Sequence, residues 1–337
     1  MRRLCFLGLS ACLLWLGACA SGPRTERSEA AADVKPVEVE AVRLALEGEA
    51  AQAEIEFSAM AWFGDHLILV PQYPERFGDR VFALSRAEIL AAIDAPGRGL
   101  VPVAVPFSDG GARDIPDFEG FEAIAFVGQD AYLSVETGPG HGFLFKGRME
   151  EGLGGLTLEA GPRAPIAAQS KVDNMSYEAL LVHDSMVTTF FESNGVGVNA
   201  APAARRFDLG LEPVADLAMA AVEYRITDVT SADDAGRFWA INYWWPGDEA
   251  LEPAVDPIAL SHGKGQTHSA TKVVERLVEF RCSPEGVELT GAAPIQLRLG
   301  AEPRNWEGVV RLEGRGFLMV TDKFPETILA FLPLDGG

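Results

Sequence analysis

Thiol and imidazole chemistry are scarce in this chain. Of 337 residues, four are cysteine and five are histidine. Cys5, Cys12 and Cys19 all lie near the N-terminus, so Cys282 is alone in the body of the chain. No intramolecular disulfide is available there, and the histidines show no spacing that suits a zinc site. Cys282 ends the stretch Glu279-Phe280-Arg281-Cys282 and reads as a structural strand residue. Positive charge is also short, with 28 Lys and Arg against 49 Asp and Glu, a net −21. That balance opposes binding to nucleic acid and to anionic headgroups, and suits a cation or a neutral or cationic ligand. Helix signals are nearly missing. Only Ser85-Arg86-Ala87-Glu88 has capping-box spacing, ahead of an apolar face at Ile89, Leu90 and Ile93 and a stop at Gly97. There is no G-x-S-x-G elbow and no HExxH. The loop GKGQTHSATK (263–272) lacks the setting of a phosphate loop, and His268 within it reads as solvent-exposed.

One long apolar run is present, Leu4 to Leu16 behind Met1-Arg2-Arg3, and it is too short to span a bilayer. It closes on Leu16-Gly17-Ala18-Cys19, which resembles the bacterial lipobox. The resemblance implies cleavage before Cys19 and lipidation of that residue. With Ala20 following, it also implies an outer-membrane lipoprotein facing the periplasm, held by the lipid anchor only. Residues 1–18 are then a signal peptide, whose removal takes Arg2 and Arg3 and leaves a charge of about −23. Residues 19–35, rich in Ala, Ser, Glu and Pro, read as a flexible tether. Residues 36–337 form a single domain.

That domain is a series of strand-length apolar runs broken by Gly, Pro, Asp and Asn, an all-β signature. Five segments superimpose: FSAMAWFGDHLILVPQ (57–72), FEAIAFVGQDAYLSVE (121–136), YEALLVHDSMVTTFFE (177–192), VEYRITDVTSADDAGRFWAIN (222–242) and WEGVVRLEGRGFLMVTD (306–322). Each opens on an aromatic residue or Val, then Glu (Ser58 in the first), and continues as strand, polar turn and strand. Each ends on a polar residue: Gln72, Glu136, Glu192, Asn242 or Asp322. Third strands follow at 81–84, 142–146, 204–208, 277–281 and 328–332. Fourth strands follow near 101–105, 155–158 and 287–290. The fifth unit stops without a fourth strand, and the alternating 37–44 segment can supply it. A β-propeller closes in this way, with an N-terminal strand completing the last blade. Five blades are expected; the long segment 243–276 leaves room for a sixth. A β-sandwich would account for the strands but not for five matched hairpins and an orphan strand.

In a propeller, the first strand of each blade lines the central channel and the second runs back. The start of one and the end of the other therefore share a face. Glu122, Glu178, Glu223 and Glu307 would converge on one mouth, with Gln72, Glu136, Glu192, Asn242 and Asp322 around them. Four adjacent carboxylates require protons or a cation. Oxygen-only ligands suit a hard cation, and calcium tolerates an irregular cage. Glu122, Glu178, Glu223 and Glu307 are thus the expected metal ligands. Asn194, Tyr243 and Lys323 join Glu192 as an expected substrate rim.

The blade-start motifs FEAIAFVGQDAYLSVE, YEALLV and NWEGVVRLEGRGFLMVTDKFPETILAF resemble those of bacterial propellers with phytase-like esterase activity. More loosely, they resemble calcium-dependent lactonase propellers of the gluconolactonase type. The likeness covers the motifs over about residues 50–334 and implies channel carboxylates near a cation. It also implies Asn242 and Asp322 as further ligands or a general base, and Glu136 joins them as an expected catalytic group. Ser58 departs from the pattern, and only Arg225, Arg304 and Lys323 lie near the motifs, too few for a highly phosphorylated substrate. Two functions are open. One is a metal-dependent hydrolase of a phosphoester, ester or lactone. The other is a non-enzymatic propeller that binds a small ligand or an envelope protein, with a structural cation.

Overall fold

The computed structural model describes residues 36–334 apart from 53, 139 and 173; the expected signal peptide, Cys19 and the tether lie outside them. Two short strands come first, β1 (Glu38–Val39) and β2 (Val42–Leu44). The first meander is β3 (Phe57–Phe63), β4 (His66–Pro71), β5 (Arg80–Ser85) and β6 (Val103–Ser108), with helix α1 (Arg86–Asp94) between the last two. The second is β7 (Phe118–Val127), β8 (Asp130–Thr137), β9 (His141–Met149) and β10 (Leu156–Ile166). The third is β11 (Ala179–His183), β12 (Met186–Phe190), β13 (Ala203–Asp208) and β14 (Leu217–Ala218). The fourth holds β15 (Arg225–Val229), β16 (Arg237–Trp244), helix α2 (Pro257–His262), β17 (Val274–Ser283), β18 (Gly286–Leu289) and β19 (Ile295–Leu297). The fifth is β20 (Trp306–Leu312), β21 (Gly316–Thr321) and β22 (Leu329–Pro333).

Turn chemistry sets these hairpins. Gly64 and Gly128 take left-handed φ values of 55° and 59° at the first two tips, where a Cβ would be strained. Between meanders, the first strands follow one another around a central channel, β3 beside β7, β7 beside β11, then β15 and β20, and β20 returns to β3. Five apolar clusters lie between successive meanders, so each sheet buries both faces. Gly308 permits the last contact of the ring: a Cβ there would stand 2.8 Å from Val320 Cγ1 and 3.0 Å from Met60 Cγ. The chain is a β-propeller.

The expected closing strand is divided. Val42–Leu44 pairs antiparallel with β22, Val42 opposite Phe331 and Leu44 opposite Leu329, and completes the fifth meander. Glu38–Val39 leaves instead for the fourth and pairs parallel with β19. The cause is Glu38. Its carboxylate accepts from Thr267 N (2.9 Å) and His268 N (3.0 Å), and lies 3.0 Å from His268 Nδ1. Burial opposes its charge, but these N–H groups outweigh it and hold its pKa down to about 2. His268 is therefore not exposed. Only 4% of its surface is accessible, and its Nε2 accepts from Glu275 N at 3.3 Å. Glu38→Ala is expected to cost about 2–3 kcal/mol at neutral pH in urea denaturation, since it strands several buried donors. A change below about 0.5 kcal/mol, ordinary for surface positions, would show that the 263–272 loop is held by other contacts.

Candidate functional site

Strand pairing fixes which residues are equivalent around the channel. Phe57 lies opposite Pro71, Phe121 opposite Val135 and Trp306 opposite Thr321, and in each case a bulge follows. In the fourth meander the matching pair is Ile226 and Asn242. The residue after the first of each pair is Ser58, Glu122, Thr227 or Glu307, and Glu178 takes this place beside Ala179, which pairs with Phe190. Side chains confirm the register: Ser58 Oγ donates to Phe121 O, and Thr227 Oγ1 donates to Trp306 O at 2.5 Å. The return positions are Gln72, Glu136, Glu192, Tyr243 and Asp322.

Four expected residues lie off the site, two of them through the register. Glu223 sits four residues before the true position and borders a separate groove with Val196 and Tyr224, where its carboxylate accepts from Val196 N at 3.3 Å. Asn242 sits one residue early and is fully buried. It donates to Glu223 O (2.8 Å) and Arg225 O (3.2 Å) and accepts from Arg276 Nε (2.8 Å), so both its amide hydrogens are committed within the fold. Asn194 is also buried and turned back to Phe191 O. Lys323 is paired with the buried Glu56 at 2.7 Å. Tyr243 does reach the site.

Sequence reasoning missed the residue at the centre. Arg225, 9% exposed, enters the channel mouth from the first residue of β15. Its Nε donates to Glu192. Its Nη2 lies 3.3 Å from both Glu178 oxygens and 3.4 Å from Glu307 Oε1, and its Nη1 is 3.2 Å from Asn305 Oδ1. Asn305 in turn donates to Glu307 (2.5 Å) and Asp322 (3.0 Å). Burial works against the guanidinium charge, but Glu192, Glu178 and Glu307 more than restore it. An arginine at the head of a channel-lining strand was the available signal.

One guanidinium does not balance three carboxylates. Burial pushes Glu178, Glu192 and Glu307 well above the carboxylate range, and Arg225 only partly opposes it. Glu192 Oε2 is buried with no donor among the described residues, while Glu178 lies beside it. A hydrogen bond between those two carboxyls requires a proton on one of them. Across the channel, burial and then Glu136 raise Glu122, and burial, Glu192 and Glu119 push Glu136 up to about 8. Burial also raises Asp322, against N–H bonds from Phe324 (2.6 Å) and Asn305.

These groups open into a cavity of about 550 Å³. Ser58, Gln72, Glu122, Glu136, Arg225 and Asp322 are among its polar lining, and Tyr243, Trp245 and Phe324 stand at its side. Trp245 and Phe324 are 45% and 58% exposed, whereas Trp244 is packed against Tyr224 in the core. Calcium does not fit the expected ligand set. Glu223 is elsewhere, the Arg225 guanidinium lies between Glu178, Glu192 and Glu307, and no acidic cluster among the described residues forms a metal cage.

No protein-family model matches the chain, and comparison with curated proteins gives no match. Among solved structures it is similar to a GH43_1 enzyme from Xanthomonas citri complexed with xylose, at 11% identity and a TM-score of 0.47 over 89% of this chain and 92% of that one. It is also similar to the catalytic domain of a Coprinopsis cinerea GH62 alpha-L-arabinofuranosidase (8%, 0.46, 89% and 92%). A third is the Clostridium thermocellum alpha-L-arabinofuranosidase CtGH43 (12%, 0.45, 79% and 81%). At these identities and scores the likenesses say nothing of substrate or reaction.

Proposed function

We propose that the protein is a hydrolase of an ester or lactone that works by carboxyl acid–base chemistry in the channel cavity. One observation carries the reading: two carboxyls with different surroundings, Glu136 and Asp322, line one cavity beside a fixed arginine. Glu136, protonated up to about pH 8, is the acid that donates to the leaving oxygen. Asp322, oriented by N–H bonds from Asn305 and Phe324, is the base that takes a proton from the attacking water. Arg225 positions the carboxyls, because its contacts are committed to Glu178, Glu192, Glu307 and Asn305. An acidic lining repels phosphate, so a phosphoester fits less well than an uncharged ester. The resemblance of the blade-start motifs to phytase-like esterases and lactonases points the same way. The lipobox at Cys19 supports a place on the periplasmic side of the outer membrane.

The test is turnover by the full chain of para-nitrophenyl esters, a lactone and para-nitrophenyl phosphate, with and without EDTA. Ester or lactone hydrolysis is expected to survive EDTA and to fall by about 100-fold or more in Asp322→Asn. Activity that EDTA abolishes and calcium restores would bring back the cation. No turnover of any substrate would leave a binding propeller of the envelope.

A further inference from the structure

The cavity is chemically divided. Arg225 serves the side built by the third, fourth and fifth meanders, and none of the described ion pairs includes Glu122 or Glu136 on the other. Arg225 acts on Glu136 only through space, and two other basic side chains of that region are engaged elsewhere. Lys323 pairs with Glu56 at 2.7 Å, and Arg76 lies over Tyr73 at 3.8 Å.

Every donor there is also already committed. Ser58 gives its hydroxyl hydrogen to Phe121 O. Gln72 Nε2 donates to Glu119 O (3.2 Å) and to Glu122 Oε1 (2.9 Å), which fixes the amide with Oε1 free. Glu122, only 5% exposed, has Gln72 as its one hydrogen-bond partner among the described residues, and its Oε2 has none. Burial and Glu136 favour the neutral form of Glu122, and a bound cation favours its ionised form. With Glu122 ionised, the lining at this corner is Ser58 Oγ, Gln72 Oε1 and Glu122 Oε2: three acceptors and no donor. A group with three donors, no acceptor and one positive charge is the complement, and that group is a primary ammonium. A hard metal ion takes six or more oxygens and would have to draw half or more of them from water here.

We propose that Ser58, Gln72 and Glu122 bind the ammonium group of a primary-amine ligand, whose apolar part lies against Trp245 and Phe324. The net charge of −21 draws such a ligand to the cavity. The inference deepens the hydrolase reading by making the substrate an amino ester or amino lactone, and rests on that reading only in calling the ligand a substrate. Binding is therefore measured without turnover.

The probe is phenethylammonium, compared by calorimetry on the full chain with phenethyl alcohol, which has the same shape without charge. The amine is expected to bind about tenfold tighter or more, and Glu122→Gln is expected to abolish that preference. Should Glu122→Gln fail to fold, Ser58→Ala and Gln72→Leu are expected to weaken the amine severalfold and leave the alcohol unchanged. The proposal is overturned if the alcohol binds as well as the amine, if neither binds, or if these variants keep the preference. It is also overturned if calcium binds the same corner and displaces the amine. Amine binding without any hydrolysis would remove the hydrolase and keep the site; hydrolysis without amine preference would do the reverse.

Discussion

At pH 8 the Glu136→Gln protein is expected to be more stable than the parent by roughly 4 kcal/mol, and at pH 5 by no more than about 1 kcal/mol. Burial, with Glu192 and Glu119, pushes the folded carboxyl up to about 8 from its ordinary 4.5. Between those values the folded chain binds a proton that the unfolded chain has released. Stability therefore falls as pH rises through this window and levels off above it. Glutamine stays neutral at all pH and escapes the loss. The other raised carboxyls, Glu122, Glu178, Glu192, Glu307 and Asp322, steepen the decline in both proteins. Glu38 acts with the opposite sign but only below about 4.5, outside the window. Urea denaturation at the two pH values is the check. A variant whose stability relative to the parent is the same at both would mean that Glu136 ionises normally and is no acid at neutral pH. Gain of stability with loss of turnover is the signature of a group kept for chemistry.

Arg225→Met is expected to have the opposite effect, a loss of about 3–5 kcal/mol at pH 8 that shrinks at pH 5. Methionine fills much of the space but leaves Glu178, Glu192 and Glu307 without a counter-charge. At high pH these carboxyls repel or must take up protons; at low pH they already hold them, and the arginine matters less. Lysine is not expected to rescue the fold fully, since a single ammonium does not reproduce contacts made from Nε, Nη1 and Nη2 to four side chains. Equal losses at both pH values would show that Arg225 acts through packing. Full activity in a folded Arg225→Met protein would remove its positioning role.

The hairpins were legible because each carries its own punctuation. An aromatic residue or Val, a carboxylate, an apolar run, a turn and a polar close recur where a channel-lining strand must start wet, run dry and return. The fourth unit misled for a local reason. Val222-Glu223-Tyr224 imitates the opening of the other units, while the true position is Thr227, a residue with no carboxylate. Spacing held the clue: the marked positions stand 14 or 15 apart in the other four units, 16 from Thr227 to Tyr243, but 19 from Glu223 to Asn242. Arg225 was passed over because carboxylates were assigned protons or a metal, and a guanidinium from the protein is a third answer. His268 was misread because its partner, Glu38, lies 230 residues away. A polar loop looks exposed until the strand that covers it is known.

The pairing of β2 with β22 has a consequence for how the protein is made. Val42 and Phe331 are neighbours in space and almost the whole domain apart in sequence. A chain emerging from the ribosome can assemble its first four meanders in order, each on the last. The fifth has no edge partner except a strand that emerged first and has been waiting unpaired. The ring therefore closes late, once β22 has emerged, as a long-range step whose loop entropy sets a slow pace. Until then Leu44 lies uncovered and the β22 edge stays open to strands of other chains. Over that interval a helper that shields strand edges matters most.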